Sequence, residues 1–161
     1  MNRLRTLLFV IAVVAPAVLP GCGAGVGYKD AIVSGDTVNL TIGGKATTVE
    51  LALDEEYRKK GLMFRESMPA DHGMLFAYGK PDTRSFWMKN TPIPLSIAFI
   101  SEVGEILQIE EMKPHDERGT LSKAKVRYAL EMNQGWFERS GVEIGSRIAN
   151  FEAVFANLPV R

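Results

Sequence analysis

The sequence contains a single cysteine, Cys22, among 161 residues, so it cannot form an internal disulfide bond. It also lacks the paired cysteines of a structural zinc site. Its two histidines, His72 and His115, lie in loop-forming sequence, without the His-x-x-x-His spacing of a metal site or the nucleophile elbow of a Ser-His-acid enzyme. We therefore predict no metal, no cofactor and no histidine-based or cysteine-based catalysis.

An excess of charge of either sign is also missing. Lys and Arg number 19, as do Asp and Glu, which gives a net charge of zero at pH 7. Domains that bind nucleic acids carry clustered positive charge, so no nucleic acid partner is predicted. The remaining composition, 46% apolar and 24% charged residues, is typical of a folded domain, and the length suits one domain with a sizeable core.

The apolar run at the N-terminus is too short for a permanent transmembrane helix. It covers residues 7–19, only 13 positions, whereas a spanning helix needs about 20. Arg3 and Arg5 precede this run and Pro20 and Gly21 end it, which is the pattern of a secretory signal peptide. We therefore predict that the protein is exported.

The segment Leu19-Pro20-Gly21-Cys22 resembles a bacterial lipobox, in which a small residue precedes the lipid-modified cysteine. It predicts a signal peptide over residues 1–21, lipid attachment at Cys22 and a tether over residues 22–36. The protein would then be held by its lipid at the extracytoplasmic face of the bacterial envelope, with a net charge of about −2 after loss of the signal arginines. Ordinary signal peptidase cleavage nearby, which leaves Cys22 removed or free, is the alternative.

Alternating apolar residues predict a single β-rich domain over residues 37–158. Two such runs flank Gly43-Gly44 and indicate a hairpin. An N-cap at Asp54 and a stop at Gly61 predict a short helix, and a second short helix carries the apolar pair Trp136-Phe137. The remaining runs bring the total to about eight short strands.

The connections between these strands are mostly of hairpin length, and no long helix alternates with them. This favours an α+β, mostly β fold over a doubly wound parallel sheet. We expect a compact, largely antiparallel sheet that closes into a small barrel-like domain with two short helices. The last predicted strand covers residues 147–155.

Several sequence blocks carry a resemblance to a known family. They are Gly61-Leu62-Met63-Phe64-Arg65, Gly73-Met74-Leu75-Phe76, Phe86-Trp87-Met88-Lys89-Asn90-Thr91, Pro92-Ile93-Pro94-Leu95, Tyr128-Ala129-Leu130-Glu131 and Gly135-Trp136. Together they resemble domain-of-unknown-function family 192, a small bacterial and archaeal domain that is often secreted or lipid-anchored. The resemblance covers residues 38–155 and implies a compact β-rich domain with short helices. The family has no agreed activity, so no reaction is implied.

The chain departs from the family pattern at two positions. Family members usually have an aspartate after Pro-Leu and another at the end of that strand, where this sequence has Ser96 and Ser101. The resemblance therefore does not extend to a carboxylate-dependent role, such as a cation site, at either position.

The best candidate for a functional cluster lies around the only Phe-Trp pair. Trp87 offers a flat apolar face, Lys89 a charge and Asn90 both donors and acceptors, which is the mixture found in pockets for small polar or anionic ligands. The predicted ligand-binding residues are Arg65, Trp87, Lys89, Asn90, Thr91 and Glu131. The same cluster also suits a structural corner, in which Phe86 and Trp87 belong to the core and Lys89 pairs with Glu131.

The sequence favours a membrane-anchored extracytoplasmic binding module for a small polar or anionic ligand or an envelope partner. Two alternatives stay open. One is a hydrolase or lyase with Glu131 as the base and Lys89 as the charge stabiliser. The other is a structural or assembly lipoprotein of the envelope, which would expose an apolar patch rather than a pocket.

Overall fold

The computed structural model describes residues 32–156 and 158–160. In this part of the chain eight strands and three helices follow one another: β1 (Thr37–Ile42), β2 (Lys45–Ala52), α1 (Glu55–Lys60), β3 (His72–Asp82), β4 (Ser85–Phe86), β5 (Leu95–Ile100), β6 (Ile106–Met112), β7 (Thr120–Leu121), β8 (Val126–Asn133), α2 (Trp136–Arg139) and α3 (Phe151–Phe155). The predicted signal peptide and Cys22 lie outside the described residues, as does most of the tether. Among the helices that are described, none has the length and apolar character needed to cross a membrane.

Six of the described strands form one mixed sheet in the order β1-β2-β3-β8-β5-β6. The pair β2 and β3 is parallel, because residues 53–71, which include α1, return the chain to the same end of the sheet. The other neighbours are antiparallel, as predicted. Strand β8 runs between β3 and β5 and therefore lies inside the sheet.

The predicted closed barrel is not found among the described strands, since β1 and β6 are the outer strands of the sheet order. A short extended segment nevertheless reaches both of them. Ile148 forms a bridge with Ile42 at the end of β1, and Arg147 forms a bridge with Glu105 just before β6. This segment supplies hydrogen bonds to part of both sheet edges, which would otherwise carry unpaired backbone groups.

The predicted last strand, residues 147–155, is wrong in its second half, where the chain forms the helix α3. The described chain therefore has three helices, one more than the two predicted. Phe151 and Phe155 are four residues apart and their rings stack with centroids 4.5 Å apart. Phe155 also packs at 4.7 Å against Tyr128 of β8. Residues four apart share a face in a strand as well as in a helix, but they lie about 13 Å apart along a strand and only about 6 Å apart along a helix, so the stacking of these two rings requires the helix.

The structure confirms the helix that was predicted from its N-cap and its terminal glycine, and the hairpin that was predicted at a glycine pair. The Asp54 carboxylate accepts a hydrogen bond from the Tyr57 N–H at 2.9 Å and caps α1, and Gly61 ends the helix with φ of 48°. Gly43 and Gly44 have φ of 56° and 81° in the turn between β1 and β2. Both turns need a left-handed backbone, which glycine adopts without steric cost.

Two apolar clusters cover the two faces of the sheet. Leu130 and Met132 of β8 pack into the first cluster, together with Trp136 and Phe137 of α2. Ala129, which points to the opposite face of β8, packs into the second cluster. The alternation places Glu131 on the same face as Ala129, so a carboxyl group faces an apolar cluster. The large members of this second cluster are Leu62, Met74, Phe76, Phe86, Met88, Ile93, Leu95, Ile97, Phe99 and Met112.

Candidate functional site

Two tight turns meet on the side of the second cluster. The turn after α1 contains Phe64, whose backbone N–H donates to the carbonyl oxygen of Asn90 at 2.8 Å. Asn90 belongs to the turn after β4, which Thr91 closes by donating its backbone N–H to Met88 at 3.1 Å and its hydroxyl to the Lys89 carbonyl at 3.1 Å. Phe64 and Asn90 both have left-handed φ values, 64° and 53°. A bulky residue in this region is a genuine outlier and marks a position that its surroundings enforce.

The aromatic residues beside these turns differ in exposure. Phe86 is buried, whereas Trp87 is 49% exposed and Phe64 is 72% exposed. The Lys89 ammonium lies 5.2 Å from the centroid of the Trp87 ring, within the range of a cation–π interaction. The predicted structural corner therefore describes Phe86 correctly but not Trp87, which presents about half of its surface to solvent.

Glu131 is the most unusual titratable group of this region. Its side chain is 4% exposed, and in the sheet it pairs with Met74 of β3 and Ile97 of β5. Burial raises the pKa of this carboxyl to about 8, because the charged form loses its hydration. No hydrogen bond or ion pair to the carboxyl is formed by the described residues, so the Lys89–Glu131 pair of the structural interpretation is not present. A protonated Glu131 can both donate and accept.

The Glu131 carboxyl lines an open pocket of about 290 Å³, which includes the mouth of the pocket. One wall is the end of α1 and the following turn, with residues Arg58, Lys59, Lys60, Gly61, Leu62 and Met63. The other wall consists of Phe76, Phe86, Trp87, Thr91 and Glu131. The structure thus brings together three of the predicted site residues, namely Trp87, Thr91 and Glu131. We refer to this concavity as the Glu131 pocket.

The other predicted site residues lie beside the Glu131 pocket rather than in its lining. The guanidinium of Arg65 forms an ion pair with Glu50 of β2 at 2.7 Å. Lys89 lies over the Trp87 ring, and Asn90 is exposed on the turn. Their contacts support the walls and the rim of the pocket rather than its floor.

The contribution of the α1 C-terminus to the site was not predicted from the sequence. Of its three basic residues, Arg58, Lys59 and Lys60, Lys59 forms an i,i+4 ion pair with Glu55 at 2.6 Å, and Arg58 donates to the carbonyl of Ala77 at 3.0 Å. All three residues also border the pocket. The available signal was their position directly before the block that starts at Gly61, which carries the family resemblance.

The two serines at the family's aspartate positions have structural partners. The buried Ser96 hydroxyl donates to Glu111 at 2.6 Å and accepts from the Gly135 N–H at 2.7 Å. The Ser101 hydroxyl accepts from the Glu105 N–H at 3.1 Å and so closes the turn between β5 and β6. Within the described residues, no group of three His, Cys, Asp or Glu side chains is arranged to hold a metal ion.

A second concavity lies on the other side of the sheet. It is a shallow groove of about 780 Å³, with an apolar base formed by residues that include Phe137, Val142 and the 63% exposed Ile144. Three carboxylates, Glu111, Glu138 and Glu143, surround this base. We refer to it as the acidic groove.

Comparison with known proteins places the chain among uncharacterised relatives. The model of family DUF192, described as "Uncharacterized ACR", matches residues 38–150. A candidate transcription regulator from Sinorhizobium meliloti 1021 has a similar crystal structure, with 41% sequence identity, a TM-score of 0.67 and coverage of 73% of this chain and 95% of that chain. A protein of unknown function from Novosphingobium aromaticivorans DSM 12444 is 31% identical, with a TM-score of 0.65 and coverage of 70% and 84%. A search of curated proteins found no match.

Proposed function

This chain belongs to the uncharacterised family DUF192, and we propose that it is a binding module that holds a small polar ligand in the Glu131 pocket. The observation that carries this proposal is the Glu131 carboxyl, which lies almost fully buried and without a partner among the described residues on the floor of an open pocket. An unpaired buried carboxyl destabilises the folded protein. A ligand that hydrogen-bonds to it would remove this cost.

The rim of the pocket supports the same function. Trp87 keeps about half of its surface exposed beside the pocket, and Phe64 is still more exposed on the adjoining turn. Exposed aromatic rings next to a buried polar group are typical of binding sites, because they add apolar contact area around a directional hydrogen bond. The left-handed backbone of Phe64 and Asn90 fixes the rim in one conformation.

We further propose that the module acts outside the cytoplasm, attached to the membrane through lipid on Cys22. The basis is the N-terminal sequence, with two arginines, a short apolar run and a lipobox-like segment. Two or more acyl chains would hold a domain at the bilayer without a spanning helix. Under this proposal residues 1–21 are removed, residues 22–36 form the attachment and tether, and residues 37–158 bind the ligand or an envelope partner.

Ligand screening by thermal shift tests the binding function, since a ligand that binds only the folded state raises Tm. The panel would contain sugars, peptidoglycan fragments, amino acids and organic anions. We expect at least one class to raise the Tm of the wild type and to lose this effect in Glu131→Gln. Glu138→Gln, the same change at an exposed position outside the pocket, is the matched control. A compound that stabilises Glu131→Gln as much as the wild type would contradict binding at this pocket.

Catalysis is a second candidate function, favoured by the pKa of Glu131, which burial moves to about 8 and so near neutrality. A general acid or base works best with such a pKa. Lys89, the predicted charge stabiliser, is not part of the pocket lining, whereas Lys60 is. A hydrolase or lyase would turn over members of a panel of esters, amides and glycosides in a Glu131-dependent way. Turnover that persists in Glu131→Gln would contradict this candidate.

A third candidate, a structural or assembly lipoprotein, rests on the acidic groove with its exposed Ile144. An apolar surface surrounded by carboxylates suits a partner with a basic apolar segment. Cross-linking from position 143, at the edge of the groove, in whole envelopes would test it, and a cross-linking pattern unchanged by Ile144→Glu would contradict it. The zero net charge of the chain gives no comparable support to a role on nucleic acid.

A further inference from the structure

We infer that the Glu131 pocket takes the ammonium group of a small zwitterion, with the ammonium innermost against the Glu131 carboxylate and the acidic end of the ligand at the lysine-bearing mouth. This inference rests on the proposed binding function and specifies the class of ligand. It follows from the groups that line the pocket and from their burial, since Glu131 is almost fully buried whereas Lys59 and Lys60 are exposed.

The floor of the pocket selects for a cation. An ionised Glu131 repels a ligand carboxylate or phosphate and attracts an ammonium, which has three donors and no acceptor. Phe76, Phe86 and Trp87 line the same space. Aromatic ring faces attract cations and add to the attraction of the carboxylate. Phe76 and Phe86 pack edge to face with centroids 5.0 Å apart, which fixes the orientation of both rings.

The mouth of the pocket favours the negatively charged end of the ligand. Lys59 and Lys60 border it at the end of α1. Lys59 is paired with Glu55, but for Lys60 no ion pair is formed by the residues that the structure describes. A ligand with a second ammonium would meet repulsion there, whereas a carboxylate or phosphate would be attracted. The volume of about 290 Å³ includes open solvent, so the enclosed part is small and suits a compact group such as an ammonium, with the rest of a small ligand at the mouth.

Binding of an ammonium would be linked to the release of one proton. Without ligand, burial raises the pKa of Glu131 to about 8, so the carboxyl is largely protonated at neutral pH. The bound state is the ion pair, so the Glu131 proton leaves to solvent as the ligand enters. The affinity for the zwitterion should therefore rise by up to about tenfold per pH unit below pH 8 and level off above it.

Other ionisable groups lie around Glu131 and could contribute to the pH dependence of ligand binding. The titratable and charged residues on the elements around the pocket are Glu55, Glu56, Tyr57, Arg58, Lys59 and Lys60 on α1, His72, Tyr78, Lys80 and Asp82 on β3, and Arg127 and Tyr128 on β8. To these are added Arg65 with its partner Glu50, Lys89 on the turn after β4, and His115, whose backbone N–H donates to the Thr91 carbonyl at 3.2 Å. The pKa of Tyr78 is raised, chiefly by burial. The raised pKa of Tyr78 keeps its hydroxyl protonated near neutral pH, whereas Glu131 is expected to titrate around pH 8.

Ligand binding in the pocket can be measured by NMR from the chemical shift of the Trp87 indole N–H. It is assigned by its loss in Trp87→Phe, since the other indole belongs to Trp136. The probes are glycine, β-alanine, γ-aminobutyrate and phosphoethanolamine. The matched compounds that lack one charge are acetate, propionate and ethylamine. We expect the zwitterions to shift the Trp87 signal, with a dissociation constant at least about tenfold lower than that of the matched compounds.

Variants at position 131 test the role assigned to the floor. Glu131→Gln keeps the shape and removes the charge, and it should weaken zwitterion binding by about tenfold or more and abolish its pH dependence. Glu131→Leu fills a similar volume with an apolar group. It is the variant to use for the same binding measurements if Glu131→Gln does not fold. Glu138→Gln should leave both the affinity and the pH dependence unchanged.

The outcomes separate this inference from the binding function itself. If acetate or propionate binds at the Trp87 signal more tightly than the zwitterions, or if Glu131→Gln binds zwitterions as well as the wild type, the ammonium inference is wrong while the module still binds ligands. If neither these probes nor the wider thermal-shift panel affects the protein, both the ammonium inference and the binding function are overturned.

Discussion

The backbone N–H of Phe64 donates to the carbonyl of Asn90 over 2.8 Å, and both residues have a left-handed backbone. This one hydrogen bond joins the turn after α1 to the turn after β4. The two turns carry Leu62 and Met63 on one wall of the Glu131 pocket, and Trp87 and Thr91 on the other. The contact therefore sets the width of the pocket between segments that are far apart in sequence.

Replacement of Phe64 by glycine should make the protein more stable than replacement by alanine. Both changes remove the ring, which is 72% exposed, but only glycine adopts φ of 64° without steric strain. We expect Phe64→Gly to exceed Phe64→Ala by about 1 kcal/mol in the free energy of unfolding, measured with urea.

The same pair of changes at Val103 serves as the control. Val103 is exposed in a turn, and its φ is not among the positive values of the described chain. Glycine should be less stable than alanine there, because it gains more conformational freedom on unfolding. Equal stabilities of the two Phe64 variants would mean that the left-handed backbone at this position stores no strain.

The buried Glu131 should make stability fall as the pH rises. Its pKa is about 8 in the folded protein and about 4.5 when unfolded, so between these values the folded state holds one more proton than the unfolded state. The free energy of unfolding should therefore decrease by about 1.4 kcal/mol per pH unit from about pH 4.5 to about pH 8, and level off above that.

Glu131→Gln isolates this effect, since all other titrating groups are shared with the wild type. We expect the stability difference between variant and wild type to shift in favour of the variant as the pH is raised over this window, in urea unfolding at several pH values. Parallel stability curves for the two proteins would show that the carboxyl is not buried in its neutral form.

An aspartate at position 96 should destabilise this protein. The Ser96 hydroxyl donates to Glu111 at 2.6 Å in a buried position. An aspartate there has no proton to donate when ionised and would place a second carboxylate beside the first, at a cost of about 2 kcal/mol or more. Urea unfolding of Ser96→Asp measures this loss.

A double-mutant cycle with Glu111→Gln separates charge repulsion from poor fit. In the Glu111→Gln background the amide can donate to the new carboxylate, so Ser96→Asp should cost at least about 1 kcal/mol less there. Ser101→Asp is a matched control, because the Ser101 side chain only accepts backbone N–H groups and a carboxylate can do the same. A Ser96→Asp loss that is equal in both backgrounds would contradict repulsion by Glu111.

Cys22→Ala should release the protein from the membrane. If the cysteine carries the lipid, its removal eliminates both the acyl chains and the cleavage signal of the lipobox. We expect labelling with a fatty-acid analogue, and sedimentation with membranes, in the wild type but not in the variant. Thr37→Ala, at an exposed position beyond Cys22, should behave like the wild type. Membrane sedimentation that survives Cys22→Ala would contradict the lipid anchor.

The elements that the sequence predicted well are those with local causes. The β1–β2 hairpin follows from alternation around Gly43-Gly44, and α1 follows from its cap at Asp54 and its stop at Gly61. The prediction was wrong at residues 151–155, where Phe151 and Phe155 fit either a strand or a helix until their contact with Tyr128 is known. Periodicity over so few residues does not separate these alternatives.

The candidate site was predicted in part. Trp87, Thr91 and Glu131 do line one pocket, but the sequence placed Lys89 beside Glu131 and gave no role at the site to Lys60. Which charged side chain reaches a given carboxyl depends on how α1 and the two turns pack on the sheet. Those contacts join segments that are distant in sequence, so no local pattern of apolar and polar residues predicts them.

The sequence by itself determined the β-rich class, the ends of α1, the hairpin at Gly43-Gly44 and the family, because each depends on local backbone preferences or on contiguous residues. Tertiary structure alone decided that Glu131 is buried in its neutral form. Its pKa depends on the low polarity of the second cluster, which α1, β3, β4 and β5 build together around β8. The same packing turned the residues around Trp87 into a pocket with a carboxyl at its floor.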